Sequence, residues 1–494
     1  MLKKSLVIIL MAFSLTTFSQ NEVDVLRLSQ TDVFGSARFE AMAGSFGALG
    51  ADFSSIQINP AGMGRFSSNH FSFSLNHNYI ENKSLYNDSV ARTNENSLKL
   101  GSLGFVFAFD VSDKNNGKKY QQISYGYTRL KNFDNVRRYE GQNFNSLLDV
   151  FANDGFNITE ENGDIYRYRP FSTALGLHTE TIFYDYEDIS YYSNLTAGDM
   201  YHDRTITTGG GIGEYHLGIS ENYMNQIYWG GSLGVRRVKF EQFVDHTETL
   251  LEPEDVSLNS FNYTENLNVR GLGVNLKLGF LYLPKEELRM GLSYESPTMH
   301  RLTEEYTANM IAYHDFGTLT VPSQHLYINE FRHRLKTPMK LRGSLAYIFD
   351  NRGAINFDLE FVDHGRGRLR PDKSGTYGNY EFEFENEQVE LQFRPVLNLR
   401  VGMEYLMTKT LFLRGGYAFL PQPFSNNVNI ASSANQTFAI GFGYEKNNLS
   451  IDFGYRAFKF NSDYYAFNPS DESNKVLFES WSNNITVSLA LRLR

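Results

Sequence analysis

The feature that most constrains this chain is the spacing of its connections. Short links at 222–226, 284–286, 350–351, 408–409 and 446–447 alternate with long ones near 81–96, 131–202, 248–260, 310–324, 371–386, 421–435 and 463–476. The segments between them repeat every second residue. Ile485, Val487, Leu489, Leu491 and Leu493 share one face, and Thr486, Ser488, Ala490, Arg492 and Arg494 share the other. Phe71, Phe73, Leu75 and Tyr79 alternate with Ser72, Ser74, Asn76 and Asn78, and Phe438, Ile440, Phe442 and Tyr444 alternate with small residues. This is the pattern of strands with one apolar and one polar face. A soluble sandwich has no reason to put short turns at one end and long loops at the other, whereas an outer-membrane barrel does. The count is about fourteen strands, the tenth expected over 387–407. The predicted fold class is therefore all-β, a transmembrane antiparallel β-barrel, closed so that no strand edge faces hydrocarbon.

Compartment follows from the N-terminus. Lys3 and Lys4 precede an apolar run, Leu6 to Phe13, and Thr17-Phe18-Ser19 supplies small residues at the cleavage positions, so residues 1–19 read as a secretory signal peptide. The run falls short of the ~20 residues a spanning helix needs. Cysteine is absent, which leaves neither a disulfide framework nor a thiolate metal site. A net charge of −10 disfavours nucleic acid as a partner. Aromatic residues make up 15% of the chain, with 40 Phe and 31 Tyr but 2 Trp, a composition that suits aromatic girdles at two bilayer interfaces. Many strands pair a large residue with Gly, read here as rings packing over bare neighbouring backbone.

Ahead of the first strand lies GSARFEAMAGSFGALGADFSSIQINPAGMG, Gly35 to Gly64. Its small residues suit a crowded place, and residues 20–68 are expected to fold back into the lumen of a 69–494 barrel as a plug. Phe46, Leu49, Phe53, Ile56 and Ile58 are candidates for ligand contact, or equally for the plug's own packing. In the 131–202 loop, Phe144, Leu147, Leu148 and Phe151 carry an amphipathic-helix spacing, and a second helix is expected over Ser172 to Tyr184. Those apolar faces either collect greasy molecules or pack on each other and on the rim.

The run Ala41 to Asp52, followed by Ile58-Asn59-Pro60-Ala61-Gly62, resembles the hatch of the FadL/TodX family of outer-membrane transport proteins for long-chain fatty acids and hydrocarbons. In flavour it is similar to a Bacteroidetes-type branch sometimes labelled hemin receptor. The resemblance implies a fourteen-stranded barrel in the outer membrane of a Gram-negative bacterium, blocked by an N-terminal hatch whose motif is Asn59, Pro60, Ala61 and Gly62. It implies passive uptake of a hydrophobic small molecule, with sideways exit at an inward kink in the third strand, for which Gly126 is the candidate. Its partners would be outer-membrane lipid (or detergent) and the barrel assembly machinery during biogenesis, with no cofactor and no catalytic residues.

Other chemistries find less support. The 11 His residues show no metal-ligand spacing, so haem uptake through His70 or His77 rests on a label. No nucleophile elbow appears, and no phosphate loop. A driven receptor of about twenty-two strands would need a larger plug. A protein-binding barrel of the type IX secretion shuttle kind stays open as an alternative. The run Arg366-Gly367-Arg368-Leu369-Arg370 tops a strand and reads as a rim contacting anionic lipid or sugar phosphates.

Overall fold

The computed structural model describes residues 22–493 except 113–116, 157, 160–162, 194, 196–199, 252–256, 351, 376–379, 426–433 and 468–471; the expected signal peptide lies outside the described residues. In chain order the strands are β1 (Asn69–Tyr86), β2 (Ser89–Asp110), β3 (Lys118–Asn132), β4 (Asn135–Asn143), β5 (Ile182–Asp185), β6 (Ser190–Ser193), β7 (Met200–Tyr223), β8 (Ile227–Leu250), β9 (Leu258–Tyr282), β10 (Leu288–Glu295), β11 (Met299–His314), β12 (Gly317–Thr320), β13 (Asn329–Lys336), β14 (Lys340–Phe349), β15 (Gly353–Asp363), β16 (Arg368–Pro371), β17 (Pro395–Leu406), β18 (Leu411–Leu420), β19 (Asn435–Lys446), β20 (Leu449–Tyr465) and β21 (Lys475–Leu493). β3 continues into β4, β10 into β11, β13 into β14 and β15 into β16, so these strands build a closed 14-strand antiparallel barrel, sealed by the pairing of β1 with β21. No described helix is long and apolar enough to cross a membrane.

The wall is inside out relative to a soluble protein. On β19, Phe438, Ile440, Phe442 and Tyr444 are exposed outward, while Thr437 points in and is buried. On β1 Ser72, Ser74, Asn76 and Asn78 are among the buried, inward-facing residues, and Leu75 is exposed. Apolar side chains facing out and polar ones facing in are what a lipid-embedded barrel requires.

Several sequence expectations are corrected. The link expected at 81–96 is strand nearly throughout, because β1 and β2 run on to a tight turn at Asn87, whose φ is +49°. Above the bilayer neither face need be apolar, so the alternation that marks a strand in lipid disappears from the sequence. β11 likewise extends through 310–314 and turns into β12. The start of the expected 387–407 strand is a helix, Glu383–Gln392, whose Val389 is buried; the strand begins at Pro395.

Of the loop expected at 131–202, Asn135–Asn143 is strand β4, paired with β7, and the residues from Leu147 to Ser193 cap the barrel mouth. Helices Leu147–Asp154, Asp164–Tyr168 and Thr173–His178 and the β5–β6 hairpin bury their apolar sides against inward-facing Phe261, Tyr263 and Met310. Leu147, Leu148 and Phe151 are in that core, whereas Phe144 precedes the helix and is 71% exposed. The second expected helix is shorter, ending before Glu180, which has φ +54°, and giving way to β5. Helix faces thus pack on one another and on the wall. Glu248 of β8 pins the cap, accepting from Ser146 Oγ at 2.6 Å and from Leu147 N at 2.9 Å.

If the outward face of β19 lies in lipid, Ile440→Arg should destabilise the barrel by about 2–4 kcal/mol. Urea titration of refolding into lipid vesicles measures this.

Candidate functional site

Residues 22–66 lie within the barrel, and the wall is shaped to receive them. The chain enters with a helix, Glu22–Ser29, descends to a short helix, Ala37–Ala41, and continues through two single-turn helices, Phe53–Gln57 and Pro60–Arg65, to β1. Inward positions of the wall are glycine where this segment comes closest. A Cβ on Gly279 would sit 2.0 Å from Asn59 Oδ1, one on Gly230 2.6 Å from Pro60 O, and one on Gly416 2.3 Å from the Met42 carbonyl carbon. The strand glycines therefore make room for the hatch backbone. Gly104 and Gly126 make room for a ring of the hatch, that of Phe53, while Gly213 and Gly353 make room for wall rings, those of Tyr127 and Phe349.

The Asn-Pro-Ala-Gly motif works as a clasp. Asn59 caps its helix by accepting from Ala61 N at 3.1 Å, while its Nδ2 donates to Gly47 O at 2.7 Å and to Phe280 O of β9 at 3.2 Å. Pro60 occupies the first helical position, where its missing N–H costs nothing. Gly62 lies against Gly50, and its carbonyl accepts from Ala51 N at 3.1 Å. The five candidate contact residues are all buried. Phe46, Leu49 and Ile58 pack with Phe39, Tyr228 and Leu281, and Phe53 and Ile56 pack with Met63, Phe66 and Val106. In this closed arrangement they are the plug's own core.

Charged groups lock the hatch from the side. Arg38 makes a two-pronged ion pair with Glu404, at 2.8 Å for each contact, and Glu404 is shared with Arg414. Glu40 is buried, faces Arg456 at 3.7 Å, and accepts from Gly35 N at 3.1 Å. Burial pushes its carboxyl up to about 7, with Arg456 pulling the other way. Sequence reading missed these partners, because Arg38–Glu404 and Glu40–Arg456 each join residues hundreds of positions apart.

Above the hatch the lumen changes character twice. A buried ladder of ion pairs runs Glu214–Arg236–Glu295–Arg342–Glu360–Arg400, with separations of 2.5, 2.5, 2.9, 2.5 and 3.5 Å. In this layer Arg236, Lys277, Lys340, Arg342 and Arg400 outnumber Glu214, Glu295 and Glu360, so it carries a surplus of positive charge. Above the ladder lies an apolar compartment of inward-facing Phe133, Val238, Phe240, Val269 and Phe331, into which Val25, Leu26 and Leu28 of the first helix insert. Where the two layers meet there is a cavity of about 210 Å³. Lys340 and Arg400 lie on its polar side together with Asp32, Glu360 and His364, and Leu26, Val396, Leu420 and Phe424 on its apolar side. Arg400 Nε has no hydrogen-bond partner among the described residues. A separate polar vestibule of about 250 Å³ lies below the hatch, beside Arg38, His70 and Arg492.

The side wall is interrupted above the hatch. The β2–β3 ladder ends at Ser102 and Thr128, and β2 from Ser89 to Leu100 pairs with β1 alone. β3 shifts register against β7 between Arg129 and Lys131. β4 then passes on the lumen side of the β1–β2 hairpin, where the inward-facing Asn82 and Ser84 donate to Val136 O at 2.8 Å and to Arg138 O at 2.7 Å. Gly126 is not the irregular residue, since it pairs in register with Gly104 and His216. Its lack of a side chain serves Phe53, whose Cζ a Cβ there would approach to 2.5 Å. His70 and His77 are not brought together either: the His70 ring packs tilted against Phe66, centroids 4.7 Å apart, and His77 is exposed on the opposite face of β1.

Asn59→Ala should loosen the hatch and spare the barrel, at about 1–3 kcal/mol for each group left unpaired. Hydrogen exchange is expected to accelerate at least about tenfold at the Ala61 amide, which donates to Asn59 Oδ1, with barrel amides unchanged.

The profile of the outer membrane protein transport protein family (OMPP1/FadL/TodX) matches residues 228–494. Among solved structures, a FadL homologue of Pseudomonas aeruginosa is similar, with a TM-score of 0.57 at 13% identity, over 94% of this chain and 100% of that one. The P. putida toluene transporter TodX is similar with a TM-score of 0.52 at 14% identity, over the same 94% and 100%. At that identity the likeness establishes the fold. No protein of curated function matches the sequence. Because the profile covers more than half of its length, this chain belongs to the outer membrane protein transport protein family (OMPP1/FadL/TodX), the outer-membrane transporters of hydrophobic compounds.

Proposed function

We propose that this chain admits hydrophobic small molecules with an anionic head, such as long-chain fatty acids, passively across the outer membrane. The observation that carries this reading is the cavity of about 210 Å³ where the apolar compartment meets the cationic layer. The lining is mixed, with Leu26, Val362, Val396, Leu420 and Phe424 among its apolar residues, and in such a pocket the fixed polar groups set the orientation of the ligand. A carboxylate has two partners there, the unpaired Nε of Arg400 and the Lys340 ammonium, which donates to Thr31 Oγ1 at 3.2 Å. The tail would take the place now held by Val25, Leu26 and Leu28, so binding and withdrawal of the first helix are one event. That helix leads directly into the hatch, which couples occupancy to the plug.

The interruption beside β2 offers the exit. It opens at the level of Gly101, where a Cβ would meet the hatch carbonyl of Gly35 at 2.9 Å, and the outward neighbour Leu98 is 66% exposed on the lipid face. A molecule leaving there passes into hydrocarbon and never has to traverse the polar vestibule.

Two experiments test this. Arg400→Ala should weaken binding of labelled oleate to the detergent-solubilised protein by roughly tenfold or more, the usual worth of a charged hydrogen bond. Binding of an uncharged long-chain alcohol should barely change. Equal losses for both ligands would remove the carboxylate assignment. Ser97 and Asn132 touch across the interruption at 3.0 Å. The chain lacks cysteine, so a Ser97→Cys/Asn132→Cys pair bridged by a short thiol cross-linker is unambiguous. Bridging should suppress oleate uptake by cells, and reduction of a cleavable linker should restore it.

A further inference from the structure

The Arg366-Gly367-Arg368-Leu369-Arg370 run finds its place only when the neighbouring strands are laid beside it. Arg370 of β16 is directly opposite Arg334 of β13, and Arg334 is directly opposite Arg301 of β11. Arg301 is opposite Leu272 of β9, which is opposite Arg237 of β8. A single cross-strand row therefore carries four guanidiniums, Arg237, Arg301, Arg334 and Arg370, all exposed on the outer face of the barrel. Like charges placed directly opposite destabilise a sheet. The row contains one compensating carboxylate, that of Asp372, which lies 2.5 Å from Arg301 and 3.7 Å from Arg334. Arg237 and Arg370 have no ion-pair partner among the described residues.

The height of the row identifies what would balance it. The next outward row down is Val235, Val274 and Met299 on β8, β9 and β11, continuing as Lys336 and Arg368 on β13 and β16, and it is followed by Leu233 and Leu276 in the lipid-facing band. The row above, Lys239 and Arg270, shares Glu241. Arg237 and Arg301 thus stand at the upper edge of the apolar band, and Arg334 and Arg370 continue the row over Lys336 and Arg368, on the side of the cap and the long connections, which in such barrels is extracellular. A planar guanidinium fork matches phosphate oxygens two at a time. An anion at this height with acyl chains below is a lipid headgroup.

We propose that the Arg237–Arg301–Arg334–Arg370 row binds the phosphate of a phosphorylated outer-leaflet lipid whose acyl chains lie on Val274, Met299 and Leu276. The lipid neutralises the repulsion within the row and fixes this side of the barrel at a set depth in the membrane. The site is separate from the lumen and independent of what the lumen carries.

Native mass spectrometry of the full-length barrel in detergent tests this, with diphosphoryl lipid A and its enzymatically dephosphorylated form as probes. The wild type should hold diphosphoryl lipid A roughly tenfold more tightly than the dephosphorylated form, and Arg301→Gln/Arg334→Gln/Arg370→Gln should abolish the difference. Equal retention of the two forms by the wild type, or undiminished preference in the triple variant, would overturn the proposal. Displacement of bound lipid by millimolar inorganic phosphate would overturn it too, by making the row a free-anion site. Should the triple variant fail to show heat-modifiable migration, Arg237→Gln/Arg370→Gln decides the matter. It leaves the Asp372 ion pairs untouched, and it is expected to lose most of the preference.

Discussion

In hydrocarbon no backbone N–H or C=O finds water, so every strand of a membrane wall must be paired on both edges or screened. That requirement closes β1 on β21 and turns the apolar side chains outward. It also creates the problem the rest of the chain solves. A fourteen-stranded cylinder has a bore wide enough to leak, and the bore is filled by the protein's own leader segment.

The filling is graded along the axis. At the bottom the hatch presses backbone against backbone, with Gly230, Gly279 and Gly416 giving way to Pro60, Asn59 and Met42. In the middle, ion pairs tie wall to wall, and lower down Arg38–Glu404 ties wall to hatch. Buried ion pairs are weak contributors to net stability but costly to leave half made, which favours one arrangement of the hatch over alternatives that strand Arg38 or Glu404. At the top, greasy side chains of wall and first helix form a compartment foreign to an otherwise polar bore. Beside β2 the wall is not fully laddered, at the level where hatch and compartment meet.

How much of this was legible in the sequence differs by element. Strands within the bilayer announce themselves, because lipid on one side and lumen on the other impose a strict alternation, as from Ile485 to Arg494. Outside the bilayer that pressure is gone, so the upper halves of β1 and β2 read as loop although they are strand. The Asn59-Pro60-Ala61-Gly62 clasp was visible as a local turn motif, since its capping bond closes over two residues. The wall glycines were visible too, but their purpose was not: Gly279 and Asn59 are neighbours only after the barrel has closed around the hatch. The same holds for the arginine row. Arg366 to Arg370 stands out in the chain, while Arg301 and Arg334 join it through strand register alone. Gly126 drew attention as a glycine in the third strand, yet the discontinuity comes after it, between Arg129 and Lys131, where no residue type marks it.

The central claim is that the apolar compartment above the ion ladder receives the transported molecule in exchange for the first helix. Crystals of the full chain grown with a bromine-labelled fatty acid test it most directly, through the anomalous signal of the bromine. The account predicts bromine inside the barrel near Phe240 and Phe331, with residues 22–29 displaced. Bromine confined to the outer surface, with Val25, Leu26 and Leu28 still seated, would contradict it.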